Sequence, residues 1–192
     1  AEDQLGFVLH LGDYVYEVVN YPEDLPQRYD RRIRDIVRYP GGKKFKDLHY
    51  PMTLEDYRIL YRAYLTDPDL QDARARWPFV FVWDNHEFSW KGHQSIQNVE
   101  EPRPAQTTKV AANQAWNEFQ PGRVLQPGGF QPDRFHAPDV ADAPIEKFDE
   151  YGLGQEPNNL SAIRSLQIFR KLRYGRNVDL ILTDNQSFRS DS

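Results

Sequence analysis

Residues 7–17 read FVLHLGDYVYE and residues 78–87 read PFVFVWDNHE, and each is an apolar run that ends at once in ligand-type side chains. In the first, Phe7, Val8, Leu9 and Leu11 predict a buried strand, and Gly12 lets the backbone turn sharply just before Asp13. In the second, residues 79–83 are continuously apolar, as expected of a strand covered on both faces. Both strands therefore deliver polar groups at their carboxyl ends, where open α/β sheets place their ligands. The predicted class is α/β, a mixed sheet covered by helices.

The residue types delivered there suit metal-assisted phosphoryl chemistry. Two cations a few ångströms apart can clamp the attacking and leaving oxygens of a phosphoryl group, and a carboxylate such as Asp13 is the ligand best able to bridge them. Tyr16 can bring a phenolate oxygen to a hard trivalent ion, which lowers the phenol's pKa. Asn85 offers an amide oxygen to a second cation, and His86 can give a proton or a hydrogen bond to a phosphate oxygen. Val15 faces the core between the two ligands, and Glu87 is expected to orient the His86 imidazole.

Plainer readings stand beside this one. A GD after a strand is common in turns, and Tyr14 and Tyr16 can simply alternate across a sheet. An imidazole flanked by two acids and an Asn is, however, an unfavourable cluster to leave in a core without a task, because like charges and buried polar groups both destabilise unless satisfied. A metal-free reading also exists, in which Asp13 and Glu87 act as an acid and base pair in the manner of glycosidases. A third is a non-catalytic module that binds phosphate or metal.

GDxxY and the Asn-His-Glu of DNHE resemble two motifs of the calcineurin-like metallophosphoesterases, purple acid phosphatases among them. The longer strings LHLGDYVYE, TLEDYRILYRAYLTDPDLQDARARWPFVFVWDNHEFSW and RYGRNVDLILTDNQSFRS resemble the PhoD-type alkaline phosphatase/phosphodiesterase family, over nearly the whole chain and least across residues 100–159. The resemblance implies an α/β/β/α metallophosphoesterase sandwich that hydrolyses phosphomonoesters and phosphodiesters by attack of a metal-bound hydroxide. It implies Fe3+ with Ca2+, Asp13 bridging the metals, Tyr16 on the iron, Asn85 on the second metal and His86 against the phosphate. Small phosphate esters are the implied substrates, and an exported protein, secreted or periplasmic, the implied setting. Two residues depart from the pattern: Asp84 stands where related metallophosphoesterases carry Gly, a usual PhoD-type feature, and Gln186 in TDNQSFRS stands where Arg is expected. Related enzymes also have an earlier strand-end ligand, a cysteine in the PhoD type, and later Asp and His ligands. The chain is thus expected to be an interior fragment of one catalytic domain spanning residues 1–192, with apolar edges exposed near both ends.

Composition bounds the alternatives. At 192 residues with 39% hydrophobic and 14% aromatic side chains, one domain with a sizeable core is expected. A net charge of −5 argues against a nucleic-acid-binding face, since a phosphate polymer is repelled overall. Cysteine is absent, which removes disulfides and thiolate ligands from this chain. No apolar stretch is long enough to span a membrane, and no signal-peptide pattern opens the chain.

Between the motifs, residues 27–38 carry Arg28, Arg31, Arg32, Arg34 and Arg38 among Asp30 and Asp35, which predicts a solvated, ion-paired segment. Thr53 and Asp56 form a capping-box pattern ahead of Tyr57, Leu60, Tyr61, Tyr64 and Leu65 on one helical face, and Asp67-Pro68 ends that helix. Residues 69–76 read as a short further turn. Residues 89–97, with Trp90, Lys91 and His93, read as a polar loop or a pocket mouth, and residues 108–119 as a helix stopped by Pro121-Gly122. Residues 121–159 form a Pro-, Gly- and acid-rich insertion in which Asp139, Asp142 and Glu146 lack the spacing of a calcium loop. Residues 166–183 predict a hairpin turning at residues 175–177.

Overall fold

The two apolar runs pair with each other. In the structure, a computed structural model that describes residues 4–26, 32–122, 124–126, 129 and 134–191, Val8 lies against Phe79, Leu9 against Val80 and His10 against Phe81 in a parallel ladder. Chain order is β1 (Val8–His10), α1 (Ile33–Ile36), β2 (Lys43–Phe45), β3 (Leu48–Tyr50), α2 (Leu54–Tyr64), α3 (Pro68–Arg76), β4 (Phe79–Phe81), β5 (Ile96–Gln97), β6 (Arg103–Pro104), α4 (Gln106–Phe119), α5 (Pro157–Ile163), β7 (Arg170–Tyr174) and β8 (Val178–Leu182). Among the described residues the strands form four two-stranded sheets: β1 with β4 in parallel, and β2 with β3, β5 with β6 and β7 with β8 in antiparallel fashion. The fold is mixed α/β.

The helices between β1 and β4 supply the core that supports the pair. Thr53 Oγ1 accepts the Asp56 N–H at 3.3 Å while Asp56 Oδ2 accepts the Thr53 N–H at 3.0 Å, so the predicted capping box starts α2. Asp56 does more than cap, because its other oxygen accepts the Gly41 N–H at 3.0 Å and ties the preceding loop to the helix. Tyr57, Leu60 and Tyr61 on the inner face are fully buried, each side chain contributing roughly 1.5–3 kcal/mol through lost apolar exposure. Tyr61 stacks on Phe119 of α4 with ring centroids 5.3 Å apart, and Arg58 makes a forked ion pair with Glu118 on the outer side. The residues predicted as a short turn form the helix α3, started by the Asp67 side chain on the Leu70 N–H and by Pro68 in its first turn.

Other expectations are corrected by the packing. β1 is not a buried strand, for Leu9 is 37% and Leu11 72% exposed, since a two-stranded ladder cannot cover both faces of its members. Ile181 of β8 is likewise 74% exposed, so both the β1 and β8 ends of the chain present apolar side chains. Arg28, Asp30 and Arg31 lie outside the described residues, and Arg34 is buried with its guanidinium on the Leu25 carbonyl instead of solvated. In the 89–97 segment Ser89, His93, Gln94, Ser95 and Gln97 are buried, which leaves a packed loop in place of an open one. Within the insertion, Asp142 accepts the Thr107 N–H and hydroxyl at 2.8 and 3.0 Å, capping α4 where Ala105 has no side chain able to do so.

Candidate active site

The parallel register decides what meets at the strand ends. The ladder ends at His10 and Phe81, and just beyond it Gly12 abuts the Asp84 backbone, so GDYVY and DNHE leave the ladder side by side. Gly12 has φ +101° and Asp13 φ +55°, a sharp turn through the left-handed region that Asp tolerates better than most residues. A Cβ on Gly12 would lie 2.4 Å from the Asp84 nitrogen and 2.6 Å from the Trp83 carbonyl carbon. The two loops therefore touch backbone to backbone, and only glycine fits between them.

Glu87 holds the loops in that contact. One carboxylate oxygen accepts the Asp13 and Asp84 N–H groups at 3.0 and 2.7 Å, and the other accepts the Tyr14 N–H at 2.6 Å. Burial pushes this carboxyl up to about 7 against the pull of those three donors. The expectation that Glu87 orients the His86 imidazole is therefore corrected, since its oxygens face backbone on both motifs. Glu87 is 3% exposed, so it also cannot reach a substrate as the acid or base of a metal-free carboxylate pair with Asp13.

The imidazole has another partner. His86 Nδ1 lies 2.6 Å from Glu17 Oε2, and Glu17 is fully buried, its other oxygen accepting the Trp90 N–H and its carbonyl the Tyr39 hydroxyl at 2.8 Å. Burial alone draws the His86 pKa down, but the hydrogen bond and charge of Glu17, helped by Asp13 and Glu87, outweigh it and the net shift is upward. With Nδ1 turned to Glu17, Nε2 is the nitrogen left to face a ligand. The Tyr16 ring packs on the imidazole with centroids 4.3 Å apart, and the Tyr16 N–H donates to the Tyr64 hydroxyl of α2 at 3.0 Å. The aromatic stripe of α2 is core packing that also serves the motifs, as Tyr57 gives its hydroxyl proton to the Phe88 carbonyl.

Asp13, Tyr16 and Asn85 thus stand on two abutting turns. Asp13 Oδ1 accepts the His86 backbone N–H at 3.4 Å, and the Asn85 side chain makes no hydrogen bond among the described residues. These oxygens match a hard cation in kind. They fall short in number, since such ions take six or more ligands, and among the described residues no group of three or more His, Cys, Asp or Glu is arranged to hold a metal ion. Tyr16 is 39% exposed and lines a groove of about 400 Å³ walled by Ile33, Ile36, Ala63 and Leu70.

Three supporting residues escaped the sequence reading. Glu17 lies just past the turn in a segment that is not a strand, where Tyr14, Val15 and Glu17 are all buried, so no alternation marked it. Lys109 of α4 is 2% exposed, its ammonium 4.8 Å from the Trp83 ring centre and 4.9 Å from that of Phe88, with burial pushing its pKa down to about 8. Its spacing of three and seven residues from Ala112 and Trp116 places it on the buried stripe of the helix, a signal that its charge masks. Asp184 accepts the Trp83 indole N–H at 2.8 Å, a contact across 101 residues that local patterning does not reveal.

Parallel strands whose carboxyl ends present a carboxylate, a phenol, an amide and a held imidazole define an α/β protein with a polar strand-end site. The fold is similar to that of PhoD in a solved structure, with a TM-score of 0.58 and 22% identity over 99% of this chain and 28% of that one. Alkaline phosphatase D of Bacillus subtilis (strain 168) is 32% identical over 128 residues, 65% of this chain and 19% of its own length. The PhoD-like phosphatase family model matches residues 1–192, and the chain belongs to that family. It matches 19% and 28% of the lengths of these two relatives.

Proposed function

We propose that the protein carrying this chain is a metal-dependent hydrolase of phosphate esters, of the alkaline phosphatase/phosphodiesterase kind. The observation that carries the reading is the pinning of GDYVY to DNHE by Glu87, which keeps Asp13 and Asn85 on adjoining turns with His86 between them and Glu17. Asp13, Tyr16 and Asn85 would hold the metal ions, Fe3+ and Ca2+ by family membership, with further ligands from outside the chain. Bound there, hard cations supply a counter-charge to the phosphoryl oxygens as negative charge builds on them. His86, oriented by its Nδ1–H on Glu17, donates from Nε2 to a phosphate or leaving-group oxygen as the imidazolium, the form that its upward pKa shift favours. Tyr16, packed against the ring at a tilt of 35°, restricts its rotation. The apolar groove beside Tyr16 offers a place for the organic arm of a small phosphate ester.

The rest of the reading follows family membership: an α/β/β/α sandwich, one catalytic domain that includes residues 1–192 with an insertion at 121–159, and a secreted or periplasmic setting. No described helix is long and apolar enough to cross a membrane. The test is hydrolysis of an aryl phosphate by the full-length protein, with and without chelator, for wild type and Asp13→Asn. Expected is activity that chelation abolishes and metal restores, with metal content and turnover falling together in the variant. Full activity in chelator, or unchanged metal stoichiometry in Asp13→Asn, would remove the basis of the proposal, and phosphate binding without turnover would make the protein a binding module.

A further inference from the structure

The DNHE turn is held from a second side by the loop at residues 184–189. Asp184 Oδ1 gathers the Trp83 indole N–H at 2.8 Å together with the Gln186 and Ser187 N–H groups of its own loop at 3.1 and 2.9 Å. One residue further along the motif, Gln186 Nε2 donates to Asp84 Oδ1. The other end of the same amide accepts from Arg189 Nε at 2.9 Å. Arg189 Nη2 donates in turn to the Gly92 carbonyl at 3.4 Å, and the Gln94 N–H to the Gln186 carbonyl at 2.9 Å. The loop therefore grips residues 83–84 before the motif's ligand residues and residues 92–94 after them.

The chemistry of this bridge is specific. Asp84 offers only acceptors and Arg189 only donors, so the group between them must donate at one end and accept at the other. An amide does both, and only one of its two orientations satisfies both neighbours. A carboxylate in its place would meet Asp84 as a like charge, and a guanidinium or ammonium would meet Arg189 as one. Asp84 is also fixed through its N–H by Glu87, so the Gln186 bond sets the remaining freedom of the residue that precedes Asn85.

We propose that Gln186 is a positioning residue of the site, setting through Asp84 the placement of Asn85 and His86 without touching substrate. The inference rests on the phosphoesterase reading and extends it to residues that reading does not use.

The experiment is a mutant cycle in the full-length, metal-loaded protein, comparing wild type, Asp84→Asn, Gln186→Glu and the double variant. Aryl-phosphate kinetics, Ca2+ affinity and thermal melting are measured on each. Gln186→Glu places two carboxylates in contact, and kcat is expected to fall by on the order of 10², as for a displacement of about 1 Å at a catalytic group, with KM changed by less than about threefold. Asp84→Asn keeps the shape and loses charge assistance, so a fall of about tenfold is expected. The double variant exchanges amide and carboxylate, restores one donor facing one acceptor and leaves an acceptor for Arg189, so its kcat should return to within about tenfold of wild type. If Gln186→Glu fails to fold, Gln186→Met, which removes both bonds without adding charge, is expected to lose about tenfold in kcat with little change in melting.

Losses that multiply in the double variant, or full kcat in Gln186→Met, would overturn the positioning role. A wild-type protein without phosphoesterase activity would instead overturn the functional reading. The cycle would then be scored on Ca2+ affinity, where the same rescue supports the role and its absence ends it.

Discussion

Replacing Glu87 with Gln tests whether one buried carboxylate holds the two motifs together. Glu87 accepts three backbone N–H groups, two on one oxygen and one on the other. The single carbonyl of Gln can take the place of only one oxygen. Set where it keeps the Asp13 and Asp84 donors, it turns its NH2 against the Tyr14 N–H, now 2.6 Å from the carboxylate. A buried donor left unmet costs about 1–3 kcal/mol, and loss of charge assistance from the two retained bonds adds about 1 kcal/mol, so about 2–4 kcal/mol is expected. For a protein of this size or larger each kcal/mol corresponds to roughly 2–4 °C in Tm. The assay is urea and thermal unfolding of the metal-free protein at pH 8, paired with hydrogen exchange, in which the Asp13, Tyr14 and Asp84 amides should lose protection together. The sign of the pH dependence follows from the upward shift to about 7: stability from Glu87 is full below the unfolded value of 4.5 and is lost as pH rises through about 7. The gap between wild type and Glu87→Gln should therefore narrow over that window, because the variant does not titrate. A variant within about 0.5 kcal/mol of wild type at every pH, with amide protection unchanged, would refute the argument.

Gly12→Ala should destabilise by at least about 2 kcal/mol, from the left-handed φ and from a Cβ forced against the Asp84 and Trp83 backbone, as read by unfolding. Glu17→Gln should lower the imidazole midpoint of His86, followed by NMR titration of metal-free protein. Because that pKa is raised, the wild-type pair stabilises the fold fully below pH 6.5 and loses this contribution as pH rises through the higher folded value, and a variant with the wild-type midpoint would sever the link. His86→Ala should keep bound metal yet slow hydrolysis by on the order of 10² to 10⁴, with a smaller defect for esters of good leaving groups; equal losses for good and poor leaving groups would assign His86 to positioning phosphate. Tyr16→Phe should abolish the visible absorption of an iron-loaded protein, and a surviving band would place the phenolate elsewhere.

What the sequence disclosed, it disclosed through local rules. The strand-end placement of Asp13 and Asn85 follows from an apolar run with a turn residue after it, and the capping box of α2 and the β7–β8 hairpin follow from equally local signals. The second layer of the site is non-local. Glu17 meets His86 across 69 residues, Glu87 meets Tyr14 across 73, and Gln186 meets Asp84 across 102, pairings that no periodicity encodes. For Glu87, adjacency in DNHE points to the imidazole, whereas backbone donors of both turns take its oxygens. Burial misled in both directions as well. Leu9 and Leu11 look like core and are exposed for want of a covering layer, while Lys109 and Gln94 look like surface and are buried because helix and loop close over them.

The charges gathered behind the motifs bear on the metal reading. Asp13, Asp84, Glu87 and Glu17 stand within two short turns, with Asp184 against Trp83 beneath them, and the basic groups around them include Lys109, Arg189, Arg74 on the Tyr14 hydroxyl, Arg32 at the Tyr16 groove and the His86 imidazole. Lys109 and Arg189 have tasks that point away from a ligand, whereas His86 keeps Nε2 toward one. Lys109 sits between the Trp83 and Phe88 rings, Arg189 serves Gln186, and His86 turns its Nδ1 to Glu17. A phosphate ester brought to the exposed oxygens of Asp13 and Asn85 would therefore meet net negative charge at short range, where repulsion is weakly screened. Protonation of Glu87, pushed up to about 7 by burial, relieves part of that repulsion and leaves the other carboxylates in place. On the proposed reading, hard cations on Asp13, Tyr16 and Asn85 would add the positive charge that a single imidazole does not supply.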